Sequence, residues 1–196
     1  MDHFEVFGLP RRLVLDEAEL QRRFYELSRQ HHPDFHQGVS PDEQARVLET
    51  SARVNAAYRT LRDPIRRVEY LVRLGSAPQA QNVESVTLKA PAGLLAEMFE
   101  IQEALQEAKA GELDETGRVA LQGQRAALEV RYREEEARIR GPLSQSWDGA
   151  SQTDRPRVLA ACREALATRA YLRTVIDDLA QVLGEGQETH AAHHRH

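Results

Sequence analysis

Apolar positions recur every three or four residues along most of this chain, the period of a helix with one buried face. Leu20, Phe24 and Leu27 form one such stripe. Its start is marked by Asp16 as N-cap, Glu19 three residues on, and Leu15 with Leu20 placed as a hydrophobic staple. A second start lies at Ser40-Pro41-Asp42-Glu43, a capping-box pattern with proline at the first helical position. Leu48, Asn55, Tyr58 and Leu61 are expected to continue the buried face of that helix. Asp63-Pro64 opens a shorter helix from Ile65 to Leu74, which Gly75 closes. Ahead of all of these, Phe4, Phe7 and Leu9 read as core anchors in a segment of one or two helical turns.

Residues 76–90 lose the period and contain a proline, which predicts a linker. Three further helical stretches follow, at about 91–109, 113–140 and 155–183. Gly111 separates the first two, and Gly141-Pro142 with Gly149 the last two; Trp147 in that second break is expected to tuck back onto the bundle. Val158, Cys162, Ala165, Leu172, Ile176, Leu179 and Leu183 mark the buried face of the last helix. Short connections between three such helices predict an antiparallel bundle. The fold expected is therefore all-α: a helical hairpin with accessory helices over 1–75, a linker over 76–90, a three-helix bundle over 91–183 and a disordered, His-rich tail over 184–196.

Composition narrows the function. No apolar run approaches the roughly 20 residues of a membrane span, and the N-terminus is not a signal peptide. The formal charge is −5; residues 1–75 are balanced, so the acidic excess lies in the remainder, which argues against nucleic acid as the main partner. The single Cys162 leaves no intramolecular disulfide and no cysteine-built zinc site, which fits a reducing cytoplasm. There is no glycine-rich phosphate loop and no nucleophile–base arrangement, so no catalytic residue and no cofactor is expected on this chain.

Chemistry concentrates in Arg29-Gln-His-His32-Pro33-Asp34-Phe35-His36, between the two long helices of the hairpin. Pro33 fixes its own φ and biases His32 away from helical ψ, so the chain must turn there and present an imidazole and a carboxylate two residues apart. His32 and His36 have a spacing that would suit a metal on a continuous helix, but Pro33 interrupts it and no nearby Glu or Cys completes a ligand set. Arg22, Arg23 and Arg29 stay out of the apolar stripe; they form either a solvated face or a basic docking surface leading to the loop.

A helix, His32-Pro33-Asp34, then a helix carrying Asn55-x-Ala57-Tyr58-x-x-Leu61 and ending at Asp63-Pro64 resembles the J-domain of the DnaJ co-chaperones. The opening Asp2-His-Phe4-Glu-Val-Phe7-Gly8-Leu9-Pro10 and the segment Asp63 to Gly75 are similar to one J-protein subfamily, HscB. The resemblance covers residues 1–75 strongly and 84–183 more loosely. It implies a co-chaperone that stimulates ATP hydrolysis by a DnaK-type partner (HscA) and delivers to it the iron–sulfur scaffold protein (IscU). In that scheme Asp34 pairs with an arginine of the chaperone, His32 and Pro33 set the loop, and Arg22, Arg23 and Arg29 dock on an acidic ATPase surface.

The first bundle helix has a core seam, Leu94, Met98, Ile101, Leu105 and Ala108, with Leu95 and Phe99 beside it and Glu100 and Glu103 at the border. By spacing alone this second strip is either part of a wide buried face or an exposed patch for another protein. The resemblance favours the patch and carries scaffold binding to Leu95, Phe99, Glu100 and Glu103, with Ala96 standing where a larger apolar residue is expected. A Cys-x-x-Cys zinc extension known from some eukaryotic relatives is absent, and the chain starts at Met1-Asp2-His3-Phe4, which suggests a bacterial, cytoplasmic form. The alternative to the iron–sulfur role is a J-domain-like helical adaptor for another client.

Overall fold

Each helix within residues 1–75 begins where a side chain supplies the acceptor that its first turn lacks. This is seen in a computed structural model that describes residues 1–36, 38–75, 99, 101–103, 105–106 and 114–184. Asp2 caps α1 (His3–Val6) in a full capping box with Glu5. Asp16 caps α2 (Glu17–Gln30) by accepting from the amides of Ala18 and Glu19. Ser40 caps α3 (Pro41–Leu61), and Asp63 caps α4 (Pro64–Leu74) through the amides of Ile65 and Arg66. Proline stands at the first position of both α3 and α4, where its missing N–H has no partner to lose.

Among the described residues every regular element is helical, as the spacing predicts. The chain divides into two compact units, Met1–Gln81 with Ile139–Cys162, and Asn82–Arg138 with Arg163–His196. In the first unit α1 and α2 both pack on α3, and α4 packs on the end of α3. Phe4, Phe7, Leu13, Leu20, Val54, Ala57, Leu61, Ile65, Val68 and Leu71 are buried there. The buried face of α3 departs from the expected one at two positions. Leu48 lies in the outer part of α3 and is exposed, and Asn55 is exposed with its side-chain amide donating to the Ser51 carbonyl. Val54, Ala57 and Leu61 make the face instead, one residue round the helix from Asn55 and Tyr58.

The segment 139–162, counted with the bundle by sequence period, packs with this first unit. Gly141-Pro142 does not open a loop. The chain widens into a π turn, Ile139–Leu143, which accommodates a proline without an amide, and the buried Ser144 hydroxyl donates to the Ile139 carbonyl. A short helix, α6 (Ser144–Gly149), follows α5 (Glu115–Arg138) and that turn. Trp147 is buried, and its indole N–H donates to the Arg11 carbonyl at 3.0 Å, which fastens it to the segment before α2, a contact that the sequence does not predict. Asp148 beside it accepts from the amides of Leu13 and Val14 at 2.7 and 2.9 Å. These contacts clasp the loop that leads into α2.

Arg67 is the charged residue at the centre of that clasp, only 3% exposed. Its Nε donates to the Leu61 carbonyl and its Nη1 to the Leu13 carbonyl, tying α4 to the end of α3 and to the loop before α2. Burial lowers its pKa from the ordinary arginine value, and the charges of Glu17, Asp63 and Asp148 oppose that shift.

In the second unit, residues 101–103 and 105–106 are helical, and Ile101 and Leu105 are buried with Leu121 and Leu128 of α5 and with Leu172, Val175, Ile176, Leu179 and Leu183. Those last residues lie on or just beyond α7 (Arg155–Val182). Ile101 and Leu105 thus follow the expected seam, whereas Leu94, Met98, Ala108, Gly111, the 76–90 linker and residues 185–196 lie outside the described residues.

Replacing Arg67 by Leu should destabilise the fold by about 2–5 kcal/mol, because two carbonyls in a buried setting lose their donor together. Urea unfolding followed by circular dichroism measures this; a change within about 0.5 kcal/mol, typical of surface substitutions, would show that the clasp does not depend on Arg67.

Candidate functional site

The loop between α2 and α3 is held from both sides. Phe24 of α2 and Tyr58 of α3 stack with ring centroids 4.0 Å apart and planes 11° apart. This fixes the last two turns of α2 against the C-terminal part of α3. α2 ends at His31, whose amide still reaches the Leu27 carbonyl. His32 then leaves the helix, and Pro33–His36 form one 3₁₀ turn resting on α3. His32 and His36 therefore do not share an α-helix, the geometry that an i,i+4 metal pair requires.

Within that turn the polar groups are arranged locally. The Asp34 amide donates to His32 Nδ1 at 3.3 Å, and the Phe35 amide donates to the His32 carbonyl at 3.0 Å. One Asp34 carboxylate oxygen lies 3.5 Å from the same Nδ1. Both contacts of Asp34 meet the same imidazole nitrogen, and the rest of the carboxylate faces solvent as an acceptor. The Asp34 side chain is 73% exposed. Such a carboxylate on a backbone held by Pro33 can accept a charge-assisted hydrogen bond from a partner's cation at little ordering cost.

The three arginines are placed differently from one another. Arg22 is exposed and pairs with Glu19 at 2.6 Å. Arg29, exposed in the last turn of α2, lines a shallow groove with Tyr25, Glu26 and Gln30. Arg23 is half-buried: its Nε donates to Glu19 at 2.6 Å, and its Nη1 donates to the carbonyls of Phe7 and Gly8 at 2.6 and 3.0 Å. Gly8 has φ of +59°, a conformation suited to glycine, and its carbonyl is thereby turned to Arg23. Hydrogen bonds from Arg22 and then Arg23 hold the Glu19 carboxyl below its usual pKa. Tyr25, an exposed aromatic on the outer face of α2, joins this surface. Sequence period alone could have picked it out, since it falls outside the Leu20–Phe24–Leu27 stripe.

In the second unit the expected patch is partly described. Phe99 is 81% exposed and Glu103 is exposed, while Ile101 between them is buried. At this point the strip beside the seam faces solvent. Leu95 and Glu100 lie outside the described residues. Among the described residues no helix is long and apolar enough to cross a membrane.

A model of the DnaJ domain matches residues 2–70, the whole of the hairpin and its loop. Over 146 residues the chain is 35% identical to a co-chaperone protein HscB homolog of Vibrio cholerae serotype O1, covering 74% of this chain and 82% of that one. Among solved structures it is similar to chaperone HscB from Vibrio cholerae, with TM-score 0.57, 26% identity and coverage of 94% of this chain and 99% of that one. It is also similar to human co-chaperone HscB, with TM-score 0.56, 25% identity and coverage of 92% and 81%. A J-domain hairpin at the N-terminus, helices carrying a shared core after it and this identity across most of both sequences lead to one assignment: the chain belongs to the HscB family of J-domain co-chaperones.

Proposed function

We propose that this co-chaperone stimulates ATP hydrolysis by a DnaK-type chaperone of the HscA kind and brings to it an iron–sulfur scaffold protein of the IscU kind. The observation that carries the first half is the Asp34 carboxylate, exposed on a proline-stiffened turn that two stacked helices hold in place. Asp34 accepts from a cation of the chaperone, an arginine by the chemistry of bidentate carboxylate pairing. His32 and Pro33 set the turn. Arg22 and Arg29 dock on an acidic surface of the ATPase domain. Arg23 adds to their positive field while its fork holds the Phe7–Gly8 turn against α2. Exposed charges of this kind are screened beyond about 10 Å at 0.1 M salt, so they steer the encounter more than they hold the complex. The groups that cleave ATP belong to the chaperone, and this chain acts as its regulator.

The second half rests on Phe99 and Glu103, which offer an apolar ring and a carboxylate to solvent on one helix face above the buried Ile101. Leu95 and Glu100 complete this scaffold-binding patch by their place in the sequence. A cytoplasmic site of action fits a chain whose single cysteine forms no internal disulfide.

Asp34→Asn keeps the size of the side chain and removes its charge. Stimulation of the chaperone's ATP turnover should collapse, a loss equivalent to about 2–5 kcal/mol of partner interaction, while the helical circular dichroism is unchanged. Stimulation at the wild-type level would contradict the assignment of the loop.

Phe99→Ala should leave thermal unfolding nearly where it is, since exposed substitutions usually stay within about 0.5 kcal/mol. Its binding to an IscU-type scaffold, measured by calorimetry, should weaken by about tenfold or more, as for an aromatic interface anchor. Normal scaffold binding would remove Phe99 from the patch.

A further inference from the structure

Phe35 follows Asp34 directly and stands 69% exposed, although it is a phenylalanine in a four-residue turn lying on a helix. A single exposed apolar side chain is ordinary in itself. This one differs in how it is held. Its amide donates to the His32 carbonyl, and its ring meets the His32 imidazole edge-on at 5.9 Å and 67°. The ring thus stands beside the His32 imidazole and remains largely in water. It also shares the 3₁₀ turn with the Asp34 carboxylate, so whatever covers one of these residues must pass close to the other.

Resting on the chaperone-docking reading above, we infer that Phe35 is a specificity-determining apolar anchor of that interface, seating in an apolar recess of the DnaK-type ATPase domain next to the cation that meets Asp34. A phenylalanine ring buries about 150–250 Å² when it is covered, and an aromatic anchor beside a desolvated charge pair is the usual composition of an interface hot spot. Covering the ring also shields the Asp34 pair from water, which strengthens it in the local low dielectric. The two residues divide the work: Asp34 provides the charge that changes the chaperone's ATPase rate, and Phe35 provides salt-insensitive affinity and selects partners whose surface offers an apolar recess at that point. Two other roles compete with this one. A prop for His32 would act through the loop's shape, and a contact between two copies of this chain would act through self-association.

The test is steady-state ATP turnover by an HscA-type chaperone, titrated with the full-length protein and with its Phe35→Ala, Phe35→Leu and Asp34→Asn variants at low and high salt. Phe35→Ala should raise the concentration for half-maximal stimulation about tenfold, equivalent to about 1.4 kcal/mol, and leave the maximum close to wild type. Phe35→Leu, which keeps apolar bulk, should recover most of the affinity, and the ratio of alanine variant to wild type should be the same at both salt concentrations. An unchanged half-maximal concentration for Phe35→Ala overturns the inference. A lowered maximum at unchanged half-saturation overturns it too, in favour of the prop. So does a sedimentation change showing that Phe35→Ala abolishes a dimer of this chain. Failure of the underlying docking reading has a different signature, an Asp34→Asn protein that stimulates as well as wild type.

Discussion

Everything the loop can do depends on the ring stack of Phe24 on Tyr58. Two helices joined by a turn that contains a proline could splay through many angles, and a carboxylate at the tip would then occupy many positions. A stack at 4.0 Å between side chains of both helices removes that freedom. Leu20 extends the same packing away from the loop, and Val54 and Ala57 extend it along α3 toward the loop. The rest of the N-terminal unit then serves to keep this hairpin in one shape: α1 packs on α3, Arg23 ties the Phe7–Gly8 turn to α2, and Arg67 joins the loop before α2 to the ends of α3 and α4. A positioned charge on a stiff support is what an allosteric activator needs, because ordering the loop on docking would otherwise consume binding free energy.

The same unit explains why segment 139–162 is part of it. The loop at Leu13 and Val14 has no regular secondary structure to satisfy its amides, and Asp148 supplies both acceptors. Trp147 adds apolar area and a hydrogen bond to Arg11, and the Arg155 guanidinium lies over its ring at 5.2 Å. A residue more than 130 positions away in sequence thus finishes the entry to α2.

Much of this was legible in the sequence, for identifiable reasons. Helix starts were readable because Asp16, Ser40 and Asp63 are local signals whose partners lie two or three residues away. The break at Pro33 was readable because proline constrains its own backbone and that of its predecessor. What local pattern could not give was any preference decided at a distance. Trp147 was expected against the bundle, since nothing near it in sequence points to Arg11. The departure at Leu48 and Asn55 has a local reason instead: both lie off the helix face of Leu61, whereas Val54, Ala57 and Leu61 step by three and four residues and are the ones buried. Gly141-Pro142 carries every sign of a break, but the π turn absorbs it. At the site, the sequence grouped Arg22, Arg23 and Arg29 as one basic face; only the geometry separates Arg23, whose partners are carbonyls made available by the positive φ of Gly8.

The central proposal is that this chain acts on the ATPase of a chaperone partner, through a loop whose shape is built in advance. Single-turnover ATP hydrolysis by an HscA-type chaperone, mixed with increasing amounts of the full-length protein, tests it most directly. The account predicts a rate that rises with co-chaperone concentration to a plateau, and rises further when an IscU-type scaffold is included. A hydrolysis rate that stays at the chaperone's basal value across the whole titration would contradict it.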